Sequence, residues 1–175
     1  MSGDGIKLQL LKLEHAPVIY KLIDGNREHL REWLPWVDGV TEPTDTLDFV
    51  KRSIALYEKG SGPHYAIFYF GVLVGLIGFQ PIDWPDKKGE IGYWLSKEYC
   101  GKGIMTWCTR ELVRIGFEEF GLNKIKICCA SGNKSSEEIP LRLGFVCEGT
   151  FRKEQYLNGE FVDLLVYSIL KNEYL

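Results

Sequence analysis

Glu90-Ile91-Gly92-Tyr93-Trp94-Leu95-Ser96-Lys97-Glu98-Tyr99-Cys100-Gly101-Lys102-Gly103-Ile104-Met105-Thr106 is the stretch on which the rest of the chain depends. Period-2 counting puts Glu90, Gly92 and Trp94 on one face of a strand and Ile91, Tyr93 and Leu95 on the other. The strand pattern ends near Ser96. A loop carrying Gly101 and Gly103 follows, and a helix opens at about Ile104, with its pattern running on through Glu118 and Glu119. A glycine loop feeding a helix N-terminus presents unpaired N–H groups and the positive end of the helix dipole. That is an anion site.

The loop is not a Walker phosphate loop, which needs G-x-x-x-x-G-K-[ST]. Nor is it a dinucleotide fingerprint: Thr106 holds the third glycine position, and Lys124, not an acid, lies about 20 residues on. A tight turn with no ligand accounts for the two glycines equally well. The context favours a ligand. After the helix comes another strand, residues 124–130, and then Asn133-Lys134-Ser135-Ser136 opens a second helix whose start can face the same anion.

Working towards the N-terminus, the loop with Pro81, Trp84, Pro85 and Asp86 precedes the opening stretch. Residues 65–70 and 72–79 are apolar on both faces with Gly71 between them, a buried hairpin. Upstream, Leu47, Val50, Ile54 and Tyr57 have helical spacing, capped by Thr44 or Asp45. Pro17 suits the first turn of a helix over residues 18–24, and a further helical piece reaches Trp33. Residues 6–13 alternate as a strand. Towards the C-terminus, a short helix over residues 135–143 ends at Gly144. Strands 145–155 and 161–170 flank Asn158-Gly159, a strong hairpin signal. The order β-α-α-β-β-β-α-β-α-β-β predicts a mixed α/β fold, one sheet with helices on its faces, in a single domain over residues 1–175.

The chain has 175 residues, 45% of them hydrophobic, enough for a full core. A net charge of −3 argues against non-specific nucleic-acid binding. No apolar run reaches the roughly 18–20 residues of a membrane span. Five cysteines without a signal peptide imply a reduced, cytoplasmic protein. Adjacent Cys128 and Cys129 lack a C-x-x-C or nearby His pair, and His15, His29 and His64 share no ligand spacing, so no metal is expected.

These pieces together resemble the GNAT superfamily of acyl-CoA-dependent N-acetyltransferases, in the branch of RimJ/RimL-type ribosomal-protein N-acetyltransferases. The residues carrying the resemblance are Glu90-Ile91-Gly92-Tyr93-Trp94-Leu95, Gly101-Lys102-Gly103-Ile104-Met105-Thr106, Asn133 through Ser136, Ile139-Pro140, Leu143-Gly144-Phe145 and Glu148-Gly149. The resemblance implies a mostly antiparallel sheet of six to seven strands, helices on both faces, and a V-shaped split holding acetyl-CoA. It places the pyrophosphate on residues 101–106, the pantetheine arm along Trp94 and Leu95, and the Asn133 amide on that arm. Cys100 and Met105 depart from the family's Q/R-x-x-G-x-G/A loop. Glu137 and Glu138 stand where relatives often carry arginine and alanine, which implies weaker contact with the 3′-phosphate.

The implied reaction is direct attack of a primary amine, plausibly a protein N-terminus, on the thioester. Ser136 is the resemblance's candidate for the acid at the leaving thiolate, with Tyr167 as a weaker substitute; a helix-capping serine is the plain alternative. Glu90 is the candidate base, against a purely structural carboxylate. Some relatives place a glutamate before the last hairpin instead, where this chain has Glu154 and Gln155. Trp33 and Trp36, with Trp84 and Trp107, are candidate walls of the acceptor pocket, or simply core. Cys100 sits where a helix N-terminus can depress a thiol pKa, but with no His or Asp partner visible in the sequence it reads as a passive loop residue. A homo-oligomer is in keeping with the family. The competing readings are a non-catalytic CoA-binding module and a nucleotide-binding regulatory domain.

Overall fold

Asn158 and Gly159 both adopt left-handed backbone, with φ of 51° and 90°. This is the type I′ geometry whose twist matches paired strands. It joins β7 (Val146–Leu157) to β8 (Glu160–Leu170), the longest hairpin of the chain. Residues 2–174 are described by the computed structural model. The remaining strands are β1 (Ser2–Gly3), β2 (Ile6–Leu10), β3 (His64–Tyr69), β4 (Val72–Phe79), β5 (Lys88–Leu95) and β6 (Lys124–Ala130). The helices are α1 (Ala16–Asp24), α2 (Arg27–Arg31), α3 (Pro43–Glu58), α4 (Ile104–Arg114) and α5 (Lys134–Arg142).

The sheet runs β1-β2-β3-β4-β5-β6-β8-β7, seven strands plus the two-residue β1 that the sequence pattern does not show. Neighbours are antiparallel except β5 and β6. Helices cover both faces. On one, Ile104, Cys108, Leu112 and Ile115 form a stripe at spacings of four and three along and just beyond α4, packed with Phe79, Ile91, Ile125 and Ile127. On the other, Ile19, Ile23 and Val50 of α1 and α3 pack over Ala66, Leu73 and Leu76.

The parallel pair is short. Lys88 pairs with Lys124, Gly89 with Ile125 and Glu90 with Lys126. Past that point each strand keeps its antiparallel partner: β5 stays with β4 as far as Leu95–Gly75, and β6 stays with β8 as far as Ala130–Leu164. Sheet twist separates them, and the less stable parallel ladder is the one that opens. A V-shaped split results, with Glu90 and Lys126 at its vertex.

Several boundaries differ from the sequence reading. The first strand ends at Leu10 and is followed by a 3₁₀ turn at Leu13–His15. α3 is capped by Glu42 with Pro43 in its first turn, rather than by Thr44 or Asp45. Asp45 instead accepts the N–H groups of Thr41 and Glu42 at 2.8 and 2.9 Å, a reciprocal cap. The long helix stays α-helical only to Arg114, then widens to a π turn over Ile115–Glu119.

Two histidines are enclosed in this fold. His15 is 5% exposed and accepts the Lys12 N–H at Nδ1, 3.2 Å away. The Nδ1 of His64 is buried without a hydrogen-bond partner among the described residues. Burial lowers both pKa values below the ordinary 6.5. The unfolded chain therefore takes up protons below pH 6.5 that the native state refuses, so stability is complete above that pH and declines beneath it. The lowered carboxylates Asp45, Glu137 and Glu148 act only below their ordinary values of 3.8 and 4.5. The expected result is a melting temperature lower at pH 5.5 than at 7.5, by about 2–4 °C per kcal/mol lost. The fall should shrink in His64→Asn; an equal fall in that variant would remove His64 from the account.

Candidate active site

A cleft of about 1080 Å³ opens where β5 leaves β6. The tail of β5 forms one wall, the loop and first turn of α4 the floor, and the start of α5 the opposite wall. Alternation on β5 sends Tyr93 to the α4 side of the sheet and Trp94 to the α1–α3 side, while the backbone edge between them faces the split. An edge paired on one side only can accept an extended chain as an extra strand.

The loop supplies the anion seat. Gly101 and Gly103 both take φ of +75°, a Cβ at either would meet nothing within 4 Å, and both residues line the cleft. No side chain caps α4. Trp107 is the first residue of the helix to bond back, to the Gly103 carbonyl at 3.0 Å, which leaves the N–H groups of Ile104, Met105 and Thr106 facing the loop. Cationic groups ring this seat: Lys102 lies 4.9 Å from the Tyr99 ring centroid, and Arg110 and Arg142 line the cleft. Arg142 also pairs with Glu138 and donates to Thr106 Oγ1 at 3.4 Å.

α5 carries the polar wall. Asn133 caps it, accepting the Ser136 N–H on Oδ1 at 3.2 Å, so its Nδ2 remains as the donor for a ligand. Because Asn133 is the cap, Ser136 is not. The Ser136 hydroxyl lies 3.1 Å from the Tyr93 hydroxyl, which also donates to the Ser136 carbonyl at 3.3 Å. Burial pushes the Tyr93 hydroxyl up, keeping it protonated. Glu137 turns inward, accepting from Gly132 N at 3.0 Å and pairing with Lys134 at 2.9 Å, which holds its carboxyl below the usual range. Of the two carboxylates expected near a phosphate, only Glu138 lies at the rim, and Arg142 neutralises it.

Trp33, Trp94, Leu95, Cys100, Gly101, Lys102, Gly103, Ile104, Met105, Thr106, Asn133 and Ser136 all line this cleft. Trp36 lies behind the wall, 6.3 Å from the Trp94 ring. Trp107 belongs to the cleft, but Trp84 does not: its ring meets Phe120 edge to face at 6.1 Å, and it donates to the Gly60 carbonyl at 2.7 Å. Tyr167 is buried in the core. Cys100 does have a partner, because His29 Nε2 lies 3.8 Å from its sulfur. Desolvation raises this thiol, in keeping with a passive loop residue: the residue is exposed, but Sγ is tucked against the Ser96 carbonyl at 3.6 Å.

Glu90 sits at the vertex, in an adjoining depression with Gln80, Lys126 and Phe151 rather than in the cleft itself. Its Oε2 is 2.7 Å from Lys126 Nζ, and this bond raises the Lys126 pKa. Cys128 is the next residue of β6 on that face. Burial first, with Glu90 and Glu154 adding to it, pushes its thiol up to about 11. Gln155 turns instead to the Trp33 carbonyl, 3.5 Å away. Sequence reasoning missed Tyr93, Arg110 and Arg142, whose roles depend on which strands and helices become neighbours.

The acetyltransferase (GNAT) domain model matches residues 6–146. The putative ribosomal N-acetyltransferase YdaF of Bacillus subtilis is 37% identical over 98% of this chain and 94% of its own. The structure of RimL, a ribosomal alpha-N-protein acetyltransferase in complex with coenzyme A, superposes with a TM-score of 0.93 at 27% identity, covering 96% and 95% of the two chains. The microcin self-immunity acetyltransferase MccE, in complex with acetyl-CoA and AMP, gives 0.90 at 30% identity over 96% and 93%. The split, the one-sided β5 edge, the glycine cradle and the cations at its rim suit a nucleotide-tailed thioester. The chain belongs to the GNAT family of acetyltransferases and takes acetyl-CoA as its co-substrate.

Proposed function

We propose that the chain acetylates the free amino terminus of a protein or peptide. The observation that carries this reading is the shape of the acceptor side. Helices α1 and α3 cover β2–β4 on that face, but Lys124, Lys126 and Cys128 of β6 remain partly exposed there. The β7–β8 hairpin closes over the end of α2: Asn158 Nδ2 donates to the Glu32 carbonyl at 3.2 Å, beside the Gln155–Trp33 contact. An acceptor reaches the vertex as a narrow chain end between this hairpin and the β6 floor.

Acetyl-CoA supplies the activated acetyl group. Residues 101–106 bind its diphosphate, Trp94 and Leu95 offer backbone to the arm, and Asn133 donates to it. The Glu90 carboxylate removes the proton from the attacking amine, sharing its charge with Lys126 until the amine arrives. As the amine's C–N bond forms and the C–S bond breaks, Ser136, held by the Tyr93 hydroxyl, gives its proton to the sulfur and regains one from water, to which Glu90 releases the proton it took. Trp33 and Trp36 keep water from the acceptor path.

Ribosomal-protein N-termini, named for the relatives above, are the first acceptors to try. Release of free CoA should follow addition of such peptides with a free α-amine and vanish when that amine is blocked. Spermidine turning over better than every peptide would replace the reading with a small-amine acetyltransferase. Binding of acetyl-CoA with no release on any amine would reduce the chain to a CoA-binding module.

A further inference from the structure

We propose that Asn26 is a positioning residue for the cofactor loop, reaching it from the junction of α1 and α2. The proposal rests on the reading of residues 101–106 as the diphosphate seat. Asn26 Oδ1 accepts two hydrogen bonds from the far end of β5: the Ser96 hydroxyl at 3.2 Å and the Lys97 N–H at 3.0 Å. Its Nδ2 donates to the Leu22 carbonyl at 2.9 Å, which fixes the side chain to the last turns of α1. Both amide groups are therefore engaged, and the two elements they join lie about seventy residues apart in sequence.

The bonds fall at a point of leverage. Residues Lys97–Tyr99 form a single 3₁₀ turn whose own N-cap, Ser96, offers no capping side-chain bond. Asn26 supplies that cap from another element, satisfying the first N–H of the turn. Ser96 is 3% exposed, so its hydroxyl would be costly to leave unpaired. Cys100 follows the turn directly, and one helical turn past Asn26 the His29 ring meets Cys100 Sγ. Between them, Asn26 and His29 hold both ends of the segment that delivers Gly101 to the cleft. A loop that binds through backbone N–H groups depends on placement more than on side-chain identity, and a small misplacement costs affinity.

The same junction faces the acceptor side. Arg27, the next residue, donates to the carbonyls of Val37 and Val40 at 3.1 and 2.6 Å, framing the segment that carries Trp33 and Trp36. Asn26 thereby ties the donor loop to a wall already in place.

The test compares two acetyl donors on the full-length protein: acetyl-CoA, and S-acetylpantetheine, which ends before the diphosphate. In Asn26→Ala the KM and Kd for acetyl-CoA should rise about tenfold, the effect of roughly two lost hydrogen bonds, with kcat retained. kcat/KM for S-acetylpantetheine should not move. Asn26→Asp keeps the acceptor oxygen for Ser96 and Lys97 but loses the bond to the Leu22 carbonyl, and should recover part of the acetyl-CoA affinity. Equal losses on both donors, or no loss on either, would overturn the proposal, as would failure of Asn26→Asp to rescue. Gly103→Val in the same series separates the underlying reading: if it leaves acetyl-CoA affinity intact, the diphosphate seat is elsewhere and the proposal falls with it.

Discussion

Glu90→Gln is expected to lower kcat about 100-fold, within the range that general base catalysis contributes. The Kd for acetyl-CoA should stay where it is. The two effects separate because Glu90 lies at the vertex of the split, away from the residues that line the cofactor cleft. Glutamine preserves the volume and can still bond Lys126, so the fold is not disturbed, but it cannot take a proton from the amine. Glu154→Gln is the necessary companion. Glu154 lies on β7 in the stretch where the ladder's register shifts between Phe151 and Gln155. A bulge can re-aim a side chain, so the hairpin carboxylate has to be tested beside Glu90. If Glu154→Gln carries the loss and Glu90→Gln does not, the base lies on the hairpin. Ser136→Ala belongs to the same assay, with kcat expected to fall about tenfold at constant acetyl-CoA Kd; an unchanged kcat would return the serine to a structural part.

The cofactor half of this site was legible because its signals are local. A glycine before a helix, an asparagine three residues ahead of a serine N–H and an Asn-Gly turn each act within a few residues, so spacing exposes them. What the sequence hid depends on distant neighbours. Lys126 becomes the partner of Glu90 through the register of a parallel pair that lasts three residues. Tyr93 reaches Ser136 across the split, and Asn26 reaches Lys97 across the sheet's helical cover. Trp84 lies away from the cofactor cleft for the converse reason: apolar bulk in a loop says that something will be covered, without saying what. At α3 two local signals competed. Thr44 and Asp45 are favoured caps, but Pro43 fits the first helical turn and moved the start earlier, leaving Glu42 as the cap.

The glycine seat yields the second large effect. Gly103→Val should weaken acetyl-CoA binding about 100-fold, by either of two routes. At φ of +75° an L-residue pays about 1–2 kcal/mol, and a β-branched one more, so the chain would relax towards negative φ and turn the first N–H groups of α4 away from the cleft. A side chain that did stay in place would crowd the cleft that Gly103 lines. Strain alone would also lower stability, so a matched control is needed. Gly144, at the end of α5, has φ of +81° with nothing within 4 Å of a built Cβ, and it does not line the cleft. Gly144→Val should therefore cost a similar fall in melting temperature while leaving acetyl-CoA affinity unchanged. Isothermal titration of both variants with CoA decides the matter. Equal losses of affinity would mean that general destabilisation, not the placement of N–H groups, explains the effect. Loss in Gly103→Val alone would identify residues 101–106 as the part of the protein that reads the diphosphate.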